Sequence, residues 1–235
     1  MFKAILFDLD GTLLDIDMNI FLQHYFKSMA DMAEELGYAE SEKLVKQVFK
    51  STHVMISNRD PSRSNEEVFM KDFFNNWDYP PWVFMKFFDT FYDTRFPALN
   101  RYCRLIPGVP DMMARLFKKG IKIVIATNPV YPLKAIYYRL KWAGVSKFPY
   151  ALVTSYENMH FCKPHIEYYE EIVDRIGVKP ADCLMVGNDV GEDIIAGQIG
   201  MKTFLVEDML IDKGFDLKPD WRGSIKDLFK FTEQI

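Results

Sequence analysis

The stretch Phe2-Lys3-Ala4-Ile5-Leu6-Phe7-Asp8-Leu9-Asp10-Gly11-Thr12 decides how this chain is read. Residues 2–7 form a short apolar run that meets an acid at once, the pattern of a buried strand. It does not have the pattern of a secretion signal. No apolar stretch in the chain approaches the ~20 residues needed to span a bilayer. In an extended segment the side chains at i and i+2 point to the same side, so Asp8 and Asp10 converge where the strand ends. Gly11 then permits a sharp exit. A turn rich in Asp and Gly is also an ordinary way to close a strand. Taken alone, the pair leaves both readings open.

Outward from this stretch, short apolar runs recur at 121–126, 151–154, 183–186 and 203–206. Helical patterns lie among them at 111–119, 132–143, 166–176 and 190–198. Buried strands alternating with helices predict an α/β fold, a doubly wound parallel sheet with helices on both faces. Residues 17–104 are different. Leu22, Tyr25, Phe26, Met29, Met32, Ala33 and Leu36 recur at helical spacing, aromatic residues concentrate between Phe69 and Tyr92, and no strand run is evident. A connection this long is not a loop. The expected organisation is a core of residues 1–16 and 105–235 with an inserted all-helical cap at 17–104. Most of the aromatics would pack the cap's own core, and a few would face the crevice between the two parts, where ligands tend to bind.

Composition narrows the function. Of 235 residues 49% are hydrophobic, enough for a sizeable core, and the net charge of −4 provides no electrostatic footprint for nucleic acid or an anionic membrane. Cys103, Cys162 and Cys183 are widely spaced and odd in number, which argues against a disulfide framework or a zinc site. The expectation is a cytoplasmic protein whose partner is a small molecule.

A second acidic pair, Asp189 and Asp193, follows the run at 183–186 in Val186-Gly187-Asn188-Asp189-Val190-Gly191-Glu192-Asp193. Asp189 suits a helix N-cap, but that explains one acid and not a second cluster at another strand end. Carboxylates ~4 Å apart repel by about 4 kcal/mol at an effective dielectric of 20. Several at one crevice therefore need a cation or raised pKa values. Magnesium suits hard oxygen ligands of this kind. Lys163, in Phe161-Cys162-Lys163-Pro164, offers one positive side chain, and Thr127 and Asn128 offer a hydroxyl and amide donors after another run. Each has an ordinary alternative, as a solvated loop lysine or as helix-entry residues. All of them falling at successive strand ends does not.

These motifs, in this order, resemble those of the haloacid dehalogenase superfamily. Asp8-Leu9-Asp10-Gly11-Thr12 resembles the first motif, Thr127 the second, Lys163 the third, and Asp189 with Asp193 the fourth. The position of residues 17–104 resembles the cap inserted between the first and second motifs. Asn188 departs from the pattern, standing where a second acid or a glycine is often found, and Asn128-Pro129 is a less usual continuation of the second motif. The resemblance implies a magnesium-dependent phosphohydrolase acting on a small phosphorylated metabolite, with Asp8 as nucleophile and Asp10 as general acid and base. It implies a metal held by Asp8, the Asp10 carbonyl and Asp189, and phosphate contacts from Thr127, Asn128 and Lys163. Asp193 would orient Lys163 or a metal-bound water. A dehalogenase of the same superfamily typically lacks an acid at the Asp10 position. A phosphomutase would return the phosphoryl group to another hydroxyl, and a phospho-accepting regulatory domain would lack the large insertion. Arg59, Arg63, Arg95, Arg101 and Arg104 are candidate anion contacts in the cap, and the four histidines form no metal set.

Overall fold

The computed structural model describes residues 2–38, 41–77 and 79–235. At its centre is β1 (Ala4–Phe7), whose four side chains are all fully buried. A strand covered on both faces needs apolar residues at every position, not at alternate ones, and Ala-Ile-Leu-Phe meets that demand. On one side β1 pairs with β4 (Lys122–Ile125), which pairs with β5 (Leu152–Val153). On the other side lie β6 (Cys183–Gly187), β7 (Lys202–Val206) and β8 (Trp221–Gly223). All five pairings are parallel. The spatial order is β5-β4-β1-β6-β7-β8, so the chain builds outward from β1 in one direction and then returns to build in the other. The reversal falls between β1 and β6, and crevices at such a point are where open α/β sheets bind ligands.

The helices of this core are α5 (Val109–Lys118), α6 (Leu133–Trp142), α7 (Ile166–Ile176) and α8 (Ile225–Gln234). α7 shows why they form: Tyr168, Tyr169, Ile172, Val173 and Ile176 make one buried stripe, and Gly177 ends the helix at φ 64°. α8 opens on a reciprocal pair in which Ser224 and Asp227 satisfy each other's backbone N–H groups.

Between β2 (Leu14–Ile16) and β3 (Cys103–Leu105) the chain is helical: α1 (Met18–Glu35), α2 (Ser41–Ser57), α3 (Asn65–Asn75), α4 (Pro81–Thr94) and a 3-10 segment at Phe96–Tyr102. Phe73, Phe84 and Phe91 are fully buried among these helices. The hydrophobic cluster continues from them without a break onto one face of the sheet. The insertion is also pinned to the core by backbone bonds: the N–H groups of Asn65 and Glu66 donate to the carbonyls of Met159 and Tyr156, each at 2.8 Å. These first-turn N–H groups have no partner within their own helix, so docking satisfies them.

One expectation needs correction, and two features were not anticipated. At the end of residues 17–104, Cys103 and Arg104 belong to β3, which pairs antiparallel with β2 as a two-stranded stalk. Three-residue strands have no periodicity to read. The helix expected at 190–198 is a turn followed by a 3-10 segment at Ile194–Ile199, with Asp189 accepting the Gly191 and Glu192 N–H groups and Asp193 accepting that of Asp189. β8, only three residues long, and α8, whose Ile225 and Leu228 are buried, were not anticipated. Among the described residues, no helix is long and apolar enough to cross a membrane.

Candidate active site

Asp8 follows β1 directly, and its N–H donates to the Val186 carbonyl of β6 at 2.8 Å, which carries the strand pairing one residue further. The chain then makes a tight turn in which the N–H groups of Thr12, Leu13 and Leu14 all converge on the Leu9 carbonyl. Gly11 sits in this turn at φ 80°, and a Cβ there would come within 2.5 Å of the Asn188 amide nitrogen. Only glycine meets both requirements.

Lys163 reaches this point from the loop after β5. Its ammonium, 1% exposed, lies 2.9 Å from Asp8 Oδ1 and 2.6 Å from Asp193 Oδ1. Burial by itself would lower the lysine pKa, but Asp193 and Asp8 more than reverse that and hold it well above its usual value. One ammonium thus faces two buried carboxylates. The more deeply buried of the two bears the cost: burial pushes the Asp193 carboxyl up to about 7, towards its neutral form, against the pull of Lys163. Asp193 Oδ2 accepts the Asp189 N–H at 2.9 Å. This packing requires Gly187, since a Cβ there would stand 2.0 Å from Asp193 Oδ2.

Asp189 Oδ1 accepts the N–H groups of Gly191 and Glu192, at 2.8 and 2.9 Å, which leaves Oδ2 without a protein partner among the described residues. Asn188 is buried and fully engaged: its Oδ1 accepts from the Thr12 hydroxyl at 3.1 Å and its Nδ2 donates to the Met209 carbonyl. The residue that departs from the family pattern therefore ties the first motif to the fourth. Thr127 follows β4, with its carbonyl held by Thr154 and Tyr168, and its hydroxyl bonds to nothing among the described residues. Asn128 spends its amide hydrogens on the Lys163 carbonyl and on Glu192, and its Oδ1 is buried without a partner.

Asp10 has a partner that the sequence reading missed. Its Oδ2 pairs with Nη1 of Arg139, a guanidinium only 1% exposed on α6. The guanidinium also lies over the Tyr131 ring, 4.3 Å from its centroid. Arg139 Nε and Nη2 and Asp10 Oδ1 are all buried without partners. Burial pushes the Asp10 carboxyl above the ordinary range, and Arg139 opposes that shift without cancelling it. A signal was present in the sequence: Arg139 falls at the spacing of Ala135, Ile136 and Leu140, on the apolar face of its helix, where an unpaired arginine is costly. The candidate arginines of the insertion point elsewhere. Arg59 pairs with Glu167, Arg95 with Glu35, and Arg101 donates to the Ala98 carbonyl; Arg63 and Arg104 are exposed.

Among the described residues, no three His, Cys, Asp or Glu side chains gather closely enough to hold a metal by themselves. Asp10's carboxylate is turned towards Arg139, so the available set is two carboxylates, Asp8 and Asp189, with main-chain oxygen. All are hard oxygen donors, and a set this small suits magnesium, which keeps waters and takes substrate oxygens to complete its shell.

Residues 2–199 match the model of a family described as haloacid dehalogenase-like hydrolase. The chain is 29% identical over 215 residues to a glyceraldehyde 3-phosphate phosphatase of Methanothermobacter thermautotrophicus, covering 90% of this chain and 88% of that one. It is 26% identical over 196 residues to the pyrophosphatase PpaX of Oceanobacillus iheyensis, covering 83% and 78%. Among solved structures, CbbY from Rhodobacter sphaeroides in complex with phosphate superposes with a TM-score of 0.61 at 18% identity, over 97% and 96% of the two chains. An HAD phosphatase from Thermococcus onnurineus does so at 0.60 and 19%, over 97% of each. With its parallel sheet, its helical insertion and a match over most of its length, the chain belongs to the haloacid dehalogenase-like hydrolases.

Proposed function

We propose that this hydrolase is a magnesium-dependent phosphatase of small phosphate monoesters that works through an aspartyl-phosphate on Asp8. The observation that carries the reading is the Asp8 carboxylate, held by the buried Lys163 ammonium at the reversal point of the sheet. A fixed carboxylate facing the crevice is a nucleophile that needs no further deprotonation. An Asp8 oxygen bonds to phosphorus as the bond from phosphorus to the ester oxygen breaks. Asp10, whose pKa is raised by burial, gives its proton to the departing alkoxide. It then takes a proton from the water that attacks phosphorus, and the Asp8 carboxylate is released with inorganic phosphate. Lys163 and the Thr127 hydroxyl bind phosphoryl oxygens, while Asn128 braces the loops of Lys163 and Glu192. Asp8, Asp189 and the Asp10 carbonyl hold magnesium, which when bound offsets the repulsion between the nucleophile and the phosphate. The helical insertion at 17–104 acts as the lid, excluding bulk water while phosphorus is attacked.

Asp8→Asn is nearly isosteric and keeps an oxygen for Lys163. The folded variant is expected to lose at least about 10³-fold in kcat on an aryl phosphate. Hydroxylamine should trap an acyl-phosphate on acid-quenched wild type and none on the variant. Retained turnover by a folded Asp8→Asn protein would reject Asp8 as nucleophile.

A further inference from the structure

A cavity of about 210 Å³ lies between the insertion and the core loop that follows Thr127. Phe49, Phe69 and Phe88 line it from α2, α3 and α4, and Tyr131 and Tyr156 close it from the core. Tyr131 carries the stacked Arg139 that pairs with Asp10, so this wall stands two contacts from the reacting centre. Among the described residues no lysine or arginine lines the cavity. Its polar groups are the exposed His53, Thr52 and the tyrosine hydroxyls, two of which, on Tyr25 and Tyr92, bond to each other at 2.9 Å. Burial pushes the phenols of Tyr25, Tyr92, Tyr131 and Tyr156 above their usual range, so these four carry no charge at neutral pH.

From the phosphatase reading just given, we infer that the alcohol half of the substrate is uncharged and mainly apolar, and that it seats in this cavity. A cavity of ~150 Å³ holds a benzene ring, so this one takes a ring with a short substituent or a branched chain of like size. A carboxylate or second phosphate would enter a mainly apolar space with no lysine or arginine in its lining to meet it, which is unfavourable. The wall thus selects against phosphoglycolate and pyrophosphate. Selection rests on the insertion, whereas the reaction rests on the strand ends.

The test compares benzyl phosphate, phosphoglycolate, pyrophosphate and methyl phosphate, with magnesium. Benzyl phosphate and phosphoglycolate are both alkyl esters, so a difference between them reports the cavity and not an activated leaving group. kcat/KM is expected to favour benzyl phosphate by at least about 10-fold over phosphoglycolate and pyrophosphate. Thr52→Lys, which adds a cation to the wall, should narrow that ratio. Independently of turnover, saturation-transfer NMR should detect benzyl alcohol on the wild-type protein without magnesium, and less of it on Thr52→Lys. Faster hydrolysis of phosphoglycolate or methyl phosphate than of benzyl phosphate, with no transfer to benzyl alcohol, would overturn the inference and leave the phosphatase reading standing. Binding of benzyl alcohol with no ester hydrolysed would overturn the phosphatase reading and uphold the cavity's ligand class.

Discussion

The strand ends and the cavity beneath the insertion are built on opposite principles. At the strand ends a network of charged and hydrogen-bonded side chains ties the motifs to one another. Lys163 bridges Asp8 and Asp193, Asp193 holds the Asp189 N–H, and Asn188 holds Thr12. Two glycines, Gly11 and Gly187, are present because a Cβ would strike Asn188 or Asp193. In the cavity, by contrast, rings meet at a range of angles and the only hydrogen bond joining two wall residues' side chains, among the described residues, is that of Tyr25 with Tyr92. A network of charges in a low-dielectric setting tolerates few substitutions, because every lost partner leaves a buried group unsatisfied. An aromatic wall tolerates many, provided volume is kept. The chemistry is therefore written in a rigid grammar and the choice of substrate in a loose one.

Arg139 is the residue that joins the two regions, and of the substitutions that test this contrast its removal is expected to have the largest effect on kcat after Asp8→Asn. Arg139→Met keeps the length of the side chain and the contact with Tyr131 but leaves Asp10 without its ion pair. We expect kcat to fall by about 10²-fold, the low end of general acid–base contributions, with KM changed less than threefold. Arg139→Lys should recover part of it. A loss confined to KM would make Arg139 part of the cavity wall and not a positioning residue for Asp10.

Gly187→Ala tests the rigid grammar directly. Its methyl would displace Asp193 from Lys163 and from the Asp189 N–H, and we expect a stability loss of about 1–3 kcal/mol, as for other overpacked sites. Thermal unfolding measures this. An unchanged midpoint would show that the strand-end network is as forgiving as the cavity.

The smallest expected effect is one of pH. An aspartate whose folded pKa is about 7, against ~3.9 unfolded, stabilises the protein fully below the unfolded value. That contribution is lost as pH rises through 7. Asp193→Asn cannot ionise, so the variant should gain stability relative to wild type as pH rises from about 4 to 7. The expected difference in midpoint is a few degrees without magnesium. If the variant instead loses ground as pH rises, Asp193 is ionised in the fold.

Much of the strand-end region was legible in the chain because its information is local. An apolar run followed by Asp8-Leu9-Asp10-Gly11 is a strand and a turn that carries two acids, whatever the rest of the molecule does. The same holds for residues 183–193 and for the apolar stripe of α7. The order of the runs, combined with the preference for parallel crossovers, was enough for a doubly wound sheet. What the chain could not declare were matters settled by approach in space. Arg139 is 129 residues from Asp10, and only the docking of α6 against the first turn turns an odd arginine on an apolar face into the partner of an acid. The split of Val190–Gln198 into a turn and a 3-10 segment accompanies the bonds of Asp193 to Lys163 and to the Asp189 N–H, the first of which joins residues 30 apart in the chain. The cavity exists because four helices and two core loops leave a gap of a particular size, and periodicity reports which residues are buried without reporting what space they fail to fill. Local sequence pattern dictates elements and the ends where chemistry gathers, because those follow from backbone geometry a few residues at a time. Pairing of distant charges and the shape of a binding wall arise only when the elements are packed.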